Sequence, residues 1–600
     1  MLRLNETALL LTALQPPQGM SLDAAIGTTF TLDLTALLTI PVAASFDLLQ
    51  GEHEPADLLE TVRRYADRTI LFCQAGAISV PARYRAAHTF VEDTVVEVRR
   101  PQGGLFHPKL WVVRFKAGQR YLHRVLVMSR NLTFDRSWDV MVRLDEDADA
   151  RRTVETDGLL ELLADLRGRA VRSLTGAQET LFSSVLSSIA GATLAVPEPF
   201  SSGKFVPCLP GVNRWPFRSR HDAVLAVSPF LGRGAVARFF KPNAGRKVIV
   251  SRQRALDAQV TALASTSVSE VYRLKDALLS AEDDLGTLDE TSVLSGDPAV
   301  AHAALKGLHA KFYVQDHGAR ATVWLGSANL TDAALSTNVE LLVEFTGPVK
   351  QVGVECVLAR KGRKDDLSWL VERHDLPDTD GDDDEEEGLD PIEHLAYDIA
   401  SSAFEILCEE HASGWTASLS VSGMPYASEV AVSARLLSLA KSRTTPVESG
   451  KAAWSSLAAE DLTPFVVITL SSQGAQRNVL VRAALHGDPD HRRRSVLARA
   501  IRSREDFLRY LAALLGYQTL GISGAGGGDG GPFDRWFNGI GVDRVLEDLL
   551  TTASRHPERL TSLGQTLDAL GRDPEFGRIV PADFTQLWEA VYTSQKAAIR

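Results

Sequence analysis

The sequence predicts an α/β protein with mixed sheets flanked by helices: a pseudo-twofold duplicated module, then a β-rich and helical middle domain, then a helical C-terminal tail. Three observations predict it: a strand–turn–strand pattern that recurs 202 residues later, apolar β-type runs upstream of each copy, and two breaks in composition further on. The resulting order is a first half over 1–185, a second half over 186–373, an acidic linker over 374–391, an accessory α+β domain over 392–521, a glycine-rich linker over 522–532 and a helical tail over 533–600.

In the first half, ALLTIPV and TILFCQAG are the upstream runs; GGLFHPKLWVVRF and YLHRVLVMSRNLTFDRSWDVMVRL follow. In the second half, AVLAVSPFL and KVIVSRQ precede KGLHAKFYVQD and RATVWLGSANLTDAALSTNVELLVEF. His107-x-Lys109 therefore matches His309-x-Lys311, Asn131 matches Asn329, and Asp139 matches Glu340. The acidic break carries ten carboxylates between Asp375 and Asp390, so it repels itself and reads as a solvated linker. SGAGGGDGGP, from Ser523 to Pro532, reads as a flexible connector. WTASLSVSG, EVAVSARLL and FVVITLSS alternate as strands of the middle domain, and DRVLEDLLTTASRHPERLTSLGQTLDALG has helical periodicity in the tail.

Composition bounds the function. Hydrophobic residues at 45% and charged residues at 23% exclude a largely disordered, collagen-like or disulfide-scaffold chain. Cys73, Cys208, Cys356 and Cys408 lie too far apart for a zinc knuckle and read as small buried hydrophobes. No apolar run reaches the roughly 20 residues of a membrane span, and the first residues lack a cleavage pattern, so a cytoplasmic location without membrane insertion is expected. The net charge of −12 falls to −2 once the acidic segment is set aside, which leaves a nucleic-acid partner open.

The repeated residues carry chemistry. On an extended segment, H-x-K places imidazole and ammonium on one face, and two cations aimed at one point repel unless an anion lies between them. Asn131 and Asn329, with Ser129 and Ser327, add neutral donors. The set suits phosphate: Lys supplies charge, Asn and Ser hydrogen bonds, and His a nucleophile or a proton. A histidine that attacks phosphorus needs a carboxylate on its other nitrogen to fix the tautomer, and Asp139 and Glu340 are the candidates.

These paired motifs resemble the phospholipase D superfamily. The second copy has the full pattern in His309, Lys311, Asp316, Gly326, Ser327 and Asn329; the first keeps His107, Lys109 and Asn131 but has Arg114 for the Asp and Met128-Ser129 for Gly-Ser. The H-x-K…N…E spacing, with Glu340 eleven residues after Asn329, is similar to the nuclease branch, which includes tyrosyl-DNA phosphodiesterases and metal-independent restriction endonucleases. The resemblance implies one active site at the pseudo-twofold interface, a covalent phosphohistidine intermediate, and neither metal nor cofactor. It tilts the nucleophile toward His107 and the general acid toward His309, and by analogy suggests antiviral defence or restriction as a setting. A phospholipid hydrolase or transferase and a catalytically degenerate nucleic-acid-binding scaffold are the alternatives.

Other residues suggest contacts beyond the reacting phosphate. Arg214, Trp215, Arg218, Arg252 and Arg254 combine arginine with aromatics, as phosphate clamping and base stacking require; the alternative is a solvated face. DNA is expected in preference to RNA. Arg492, Arg493, Arg499 and Arg502 suggest an amphipathic helix, and a protein partner is expected through 392–600. His123, His302 and His317 have no repeat mates and read as surface or loop residues.

Overall fold

The structure, a computed structural model, describes residues 10–44, 62–275, 307–358, 367–381 and 391–493 apart from isolated positions, and beyond 493 only isolated positions such as Val496, Leu549 and Trp588. It is a mixed α/β protein, as the sequence predicts.

The first half contributes β1 (Ser21–Thr29), β2 (Leu32–Asp33), β3 (Thr69–Gln74), β4 (Ile78–Ser79), β5 (Val95–Val98), β6 (Leu110–Ala117), β7 (Arg120–Met128) and β8 (Met141–Asp145). Six of them form a sheet in the order β5-β3-β1-β6-β7-β8. The second half contributes β9 (Val154–Glu155), β10 (Ser202–Cys208), β11 (Ala223–Val227), β12 (Arg246–Val250), β13 (Glu270–Leu274), β14 (Phe312–His317), β15 (Arg320–Gly326), β16 (Glu340–Pro348) and β17 (Val371–Arg373). Its sheet runs β17-β13-β12-β11-β14-β15-β16-β10-β9, so β13-β12-β11-β14-β15-β16 repeats the first sheet's order. Pairing sense repeats too: β1 is parallel to β3 and antiparallel to β6, as β11 is parallel to β12 and antiparallel to β14.

Period-two alternation stacks the sheets. Leu110 and Val112 of β6, with Leu225, Val227, Phe312, Val314, Leu341 and Val343 of the second sheet, point into one shared core. Trp111, Val113 and Phe115 point the other way, as do Val224, Ala226 and Tyr313 from their own sheet. The inner parallel strands are buried on both faces, which is why TILFCQ reads as an unbroken apolar run.

The middle domain has β18 (Ala403–His411), β19 (Gly414–Ser422), β20 (Ala431–Leu436), β21 (Thr445–Pro446), β22 (Lys451–Leu457), β23 (Phe465–Ser472), β24 (Ala475–Arg482) and β25 (Ala484–His486). They form two sheets, and one of them, β2-β4-β24-β23-β20-β21, takes in short strands of the first half. Leu437, Phe465 and Leu480 of the middle domain share a core with Leu37, Leu71 and Trp111, and isolated tail positions Leu549, Leu563, Phe584 and Trp588 join it. Apolar side chains of the first half, the middle domain and these tail positions are therefore buried together.

The acidic run is exposed at Asp375 and Asp378, and Asp380 accepts from Arg233 (2.8 Å) and the Thr261 amide (2.7 Å), which ties that position to the second half. Residues 382–390, the glycine-rich linker and most of the tail lie outside the described residues. Arg492 faces neither DNA nor a partner; it is 1% exposed and paired with Glu92 and Asp488. Arg499 and Arg502 lie outside the described residues.

Candidate active site

The H-x-K segments enter β6 and β14 rather than lying within them; the regular strands begin at Leu110 and Phe312. Each is held extended by the opposite half. The His107 amide donates to the Val339 carbonyl (2.9 Å) and the His309 amide to the Trp138 carbonyl (2.8 Å). Because Val339 and Trp138 immediately precede Glu340 and Asp139, the cross-connection brings each histidine's backbone to the other half's carboxylate segment.

All eight catalytic candidates belong to these segments or to the strand ends beside them. His107, His309, Lys109, Lys311 and Glu340 are buried, each 3% exposed or less; Asn131 is buried, and Asn329 and Asp139 are half-buried. Each lysine folds back toward its own histidine: Lys109 Nζ donates to the His107 carbonyl (2.9 Å) and Lys311 Nζ to the His309 carbonyl (3.0 Å). Among the described residues, the side-chain oxygens of Asn131 and Asn329 have no hydrogen-bond partner, in a setting where a buried amide ordinarily finds one.

The carboxylate of the second half serves the histidine of the first. His107 Nδ1 lies 3.0 Å from Glu340 Oε2 and donates its proton there, leaving Nε2 with the lone pair. Burial pushes the His107 imidazole below its ordinary value, Lys109 and Lys311 push the same way, and Glu340 offsets them only in part. Burial alone would raise the Glu340 carboxyl, but His107, Lys109 and Ser327 outweigh it and hold it below its ordinary value. Burial thus favours the neutral imidazole of His107, and the surrounding donors favour the Glu340 carboxylate. Asp139 holds the corresponding place in the first half, where Arg130 lies 3.8 Å from it.

The serines anchor backbone. The Val140 amide donates to Ser129 Oγ (3.0 Å) and the Leu341 amide to Ser327 Oγ (3.0 Å), so both hydroxyls pin the strand that carries the carboxylate. Asp139 and Glu340 each stand one residue before the anchored amide. Gly326 has φ +155°, and a Cβ there would fall 2.1 Å from the Leu341 carbonyl, so the second copy needs its glycine. In the first copy the Met128 amide still donates to the Lys109 carbonyl (3.0 Å), so the corner survives the replacement.

Asp316 and Arg114 do the same work with opposite charge. Asp316 accepts from the Val354 amide (3.0 Å), and its carboxyl is pushed up to about 6, chiefly by burial. Arg114 pairs with Asp23 (2.6 Å) and donates to the Ser184 carbonyl and Ser188 hydroxyl (3.0 Å each). Each ties its strand to a following helical segment.

The basic cluster is only partly at the site. Arg252 donates to the Leu308 carbonyl (3.1 Å), beside His309, and stacks over Phe230 at 4.5 Å. Arg254 is exposed, and Arg214 lies outside the described residues. Trp215 and Arg218 are held elsewhere: Phe217 packs against Phe239, Tyr313 and Trp324 on the outer face, and Arg218 donates to Thr322 (3.1 Å). His123 is buried against Glu146 (2.7 Å), not a surface residue. His302 lies outside the described residues.

Sequence reasoning missed the supporting groups. Asn338 donates to Glu340 Oε1 (3.3 Å) and accepts from the Leu105 amide (2.8 Å). Gln74 accepts from the Phe106 amide (2.8 Å), and the Phe30 ring lies 5.4 Å from His107. Only Asn338 carried a signal, two residues before Glu340 and so on its face of an extended segment. Among the described residues, no group of three His, Cys, Asp or Glu side chains could hold a metal ion, and no helix is long and apolar enough to cross a membrane.

No protein-family model and no curated protein matches the sequence. Among solved structures, the chain is similar to a variant of yeast tyrosyl-DNA phosphodiesterase, with 12% identity over 57% of this chain and 85% of that one, at a TM-score of 0.34. A second variant of that enzyme gives 11% identity, 57% and 86% coverage and a TM-score of 0.34. Polyphosphate kinase from Porphyromonas gingivalis gives 10% identity, 57% and 42% coverage and a TM-score of 0.26.

Proposed function

We propose that the chain is a phosphodiesterase of the phospholipase D type that cleaves nucleic acid, DNA in preference to RNA, at one site shared by its two halves. The observation that carries this reading is the buried His107–Glu340 contact between halves, set among Lys109 and Lys311. A neutral imidazole with its Nδ1 proton committed to a carboxylate is a nucleophile at Nε2. His107 Nε2 attacks phosphorus and forms the P–N bond as the P–O bond to the leaving group breaks; His309 delivers a proton to that oxygen. Water, giving its proton to His309, then attacks phosphorus, and the P–N bond breaks. Lys109, Lys311, Asn131 and Asn329 stabilise the charge that gathers on the nonbridging oxygens.

Cationic side chains occupy the place where a metal would act as electrophile, so cleavage should persist in excess chelator. Purified protein with labelled single- and double-stranded DNA, RNA and a model phospholipid, each with chelator, tests the reading. Nucleic-acid cleavage in chelator supports it. Loss of cleavage with rescue by magnesium or manganese, turnover of phospholipid alone, or binding without cleavage overturns it.

Glu340→Gln keeps the shape but cannot hold the Nδ1 proton as a carboxylate does, and turnover should fall by about 10³–10⁴-fold. The pH profile carries the sign. His107 acts deprotonated and sits below histidine's ordinary value, so the acid limb of the wild-type profile should lie below about 6.5. Because Glu340 raises His107, its removal should move this acid limb to still lower pH. A rate loss with an unmoved acid limb would assign Glu340 a packing role instead.

A further inference from the structure

The two halves repeat the chain path beside the site, and one position in that path breaks the repeat. The Leu132 amide donates to Thr29 Oγ1 (3.0 Å), and its carbonyl accepts from the Asp33 amide (3.0 Å). In the second half the Leu330 amide donates to Ser228 Oγ (2.9 Å), and its carbonyl accepts from the Gly232 amide (2.8 Å). Leu132 therefore matches Leu330, and two residues further on Phe134 matches Asp332.

In the second half that position serves the fold. The Asp332 carboxylate lies against Gly234, where an added Cβ would fall 2.5 Å from it, at the start of the helix Arg233–Phe240. A negative charge suits that end of a helix, and Gly232, just before it, has none to offer. In the first half the matching helix, Leu34–Ala44, is capped by Asp33, whose carboxylate accepts from the Thr35 amide (2.6 Å) and the Ala36 amide (3.3 Å). Asp33 stands where the second half has Gly232, so position 134 is released from this work.

The released position carries a phenylalanine that is 51% exposed. It stands three residues after Asn131 and five before Asp139, on a loop fixed to the site at its far end, where Trp138 exchanges backbone hydrogen bonds with Gly307 and His309 (2.8 Å each). Three residues of chain span at most roughly 11 Å, which keeps the ring within reach of the nucleotides next to a phosphate held by Asn131. Phe230, on the second-half side, lies half-buried beneath Arg252 at 4.5 Å, whereas half of Phe134 is open to solvent.

We propose that Phe134 is a specificity-determining residue that stacks on an unpaired base flanking the scissile phosphate, so that single-stranded nucleic acid is taken in preference to duplex. This rests on the nucleic-acid reading of the site. Every base has a π-face, but in a duplex both faces are already covered by neighbouring pairs.

Steady-state cleavage by the full chain of single-stranded oligonucleotides, each with one abasic position stepped past the cleaved bond, tests the proposal. Phe134→Ala should raise KM for the intact strand about tenfold or more with kcat within about twofold, and remove the preference over duplex. Phe134→Tyr should restore KM; Phe134→Leu, apolar without a π-face, should not. One abasic position should cost the wild type about as much as Phe134→Ala does, and cost Phe134→Ala nothing further. An unchanged KM in Phe134→Ala, full rescue by leucine, or additive losses at every abasic position overturns the proposal. The same cycle read as equilibrium binding by His107→Ala separates the two readings. Coupling in binding without cleavage by the wild type overturns the function alone; cleavage without coupling overturns the Phe134 contact alone; absence of both overturns both.

Discussion

His107→Ala should lower turnover by at least about 10³-fold and leave no trappable covalent adduct, while His309→Ala should lose comparable activity yet still form the adduct. The asymmetry follows from the His107–Glu340 contact, which fixes the tautomer a nucleophile requires. Phosphorus bound to imidazole nitrogen hydrolyses in acid and survives base, so quenched-reaction mass spectrometry distinguishes it from a serine or tyrosine ester. The leaving group separates the two roles further. A nitrophenyl ester of a nucleoside phosphate departs without a proton, so it should restore the first step in His309→Ala and not in His107→Ala. An adduct on His309 in the His107→Ala chain would reverse the assignment, and full activity in both variants would eliminate it.

The sequence carried this site further than it carried the architecture. Chemistry restricts residue type, so two H-x-K-N sets stand out whatever surrounds them, and the similar WDVMV and VELLV segments matched Asp139 with Glu340 although Asp139 follows its Asn by three residues fewer. Which histidine each carboxylate meets was not legible. The answer depends on a backbone exchange between Val339 and His107, more than 200 residues apart, that no local pattern encodes. The same limit misplaced arginines. Arg252 and Arg218 look alike in sequence, but one reaches Leu308 beside His309, while the other is held on the outer face beside the buried Phe217. β2 and β4, of two residues each, are too short for any alternation, so their entry into the middle domain's sheet left no trace.

Arg492→Met should destabilise the protein by about 3–5 kcal/mol, much of a typical margin of about 5–15 kcal/mol, whereas Arg493→Met should cost only about 0–1 kcal/mol. The two arginines are neighbours in sequence and differ in setting. Arg492 is fully enclosed, donating to Glu92 (2.7 Å), Asp488 (2.6 Å) and the Leu462 carbonyl (2.9 Å), while Arg493 is a third exposed and pairs with Asp93. Removal of Arg492 strands Glu92, which among the described residues keeps a hydrogen bond from the Thr463 hydroxyl (2.8 Å) and the more distant charge of Arg493, inside the seam between the first half and the middle domain. Adding Glu92→Gln should recover part of the loss, since the penalty lies in the unpaired charge more than in the missing bond. Acid should also reduce it. Burial already holds the Glu92 carboxyl above its ordinary value, and without Arg492 it rises further. A carboxyl with a raised folded-state pKa is tolerated while protonated and costs stability as pH rises through that value, so the deficit of Arg492→Met should shrink from pH 8 toward pH 5. Urea unfolding of wild type, both single variants and the double variant at the two pH values measures this. Equal losses for Arg492→Met and Arg493→Met, or a deficit that grows on acidification, would show that the seam does not depend on this buried pair.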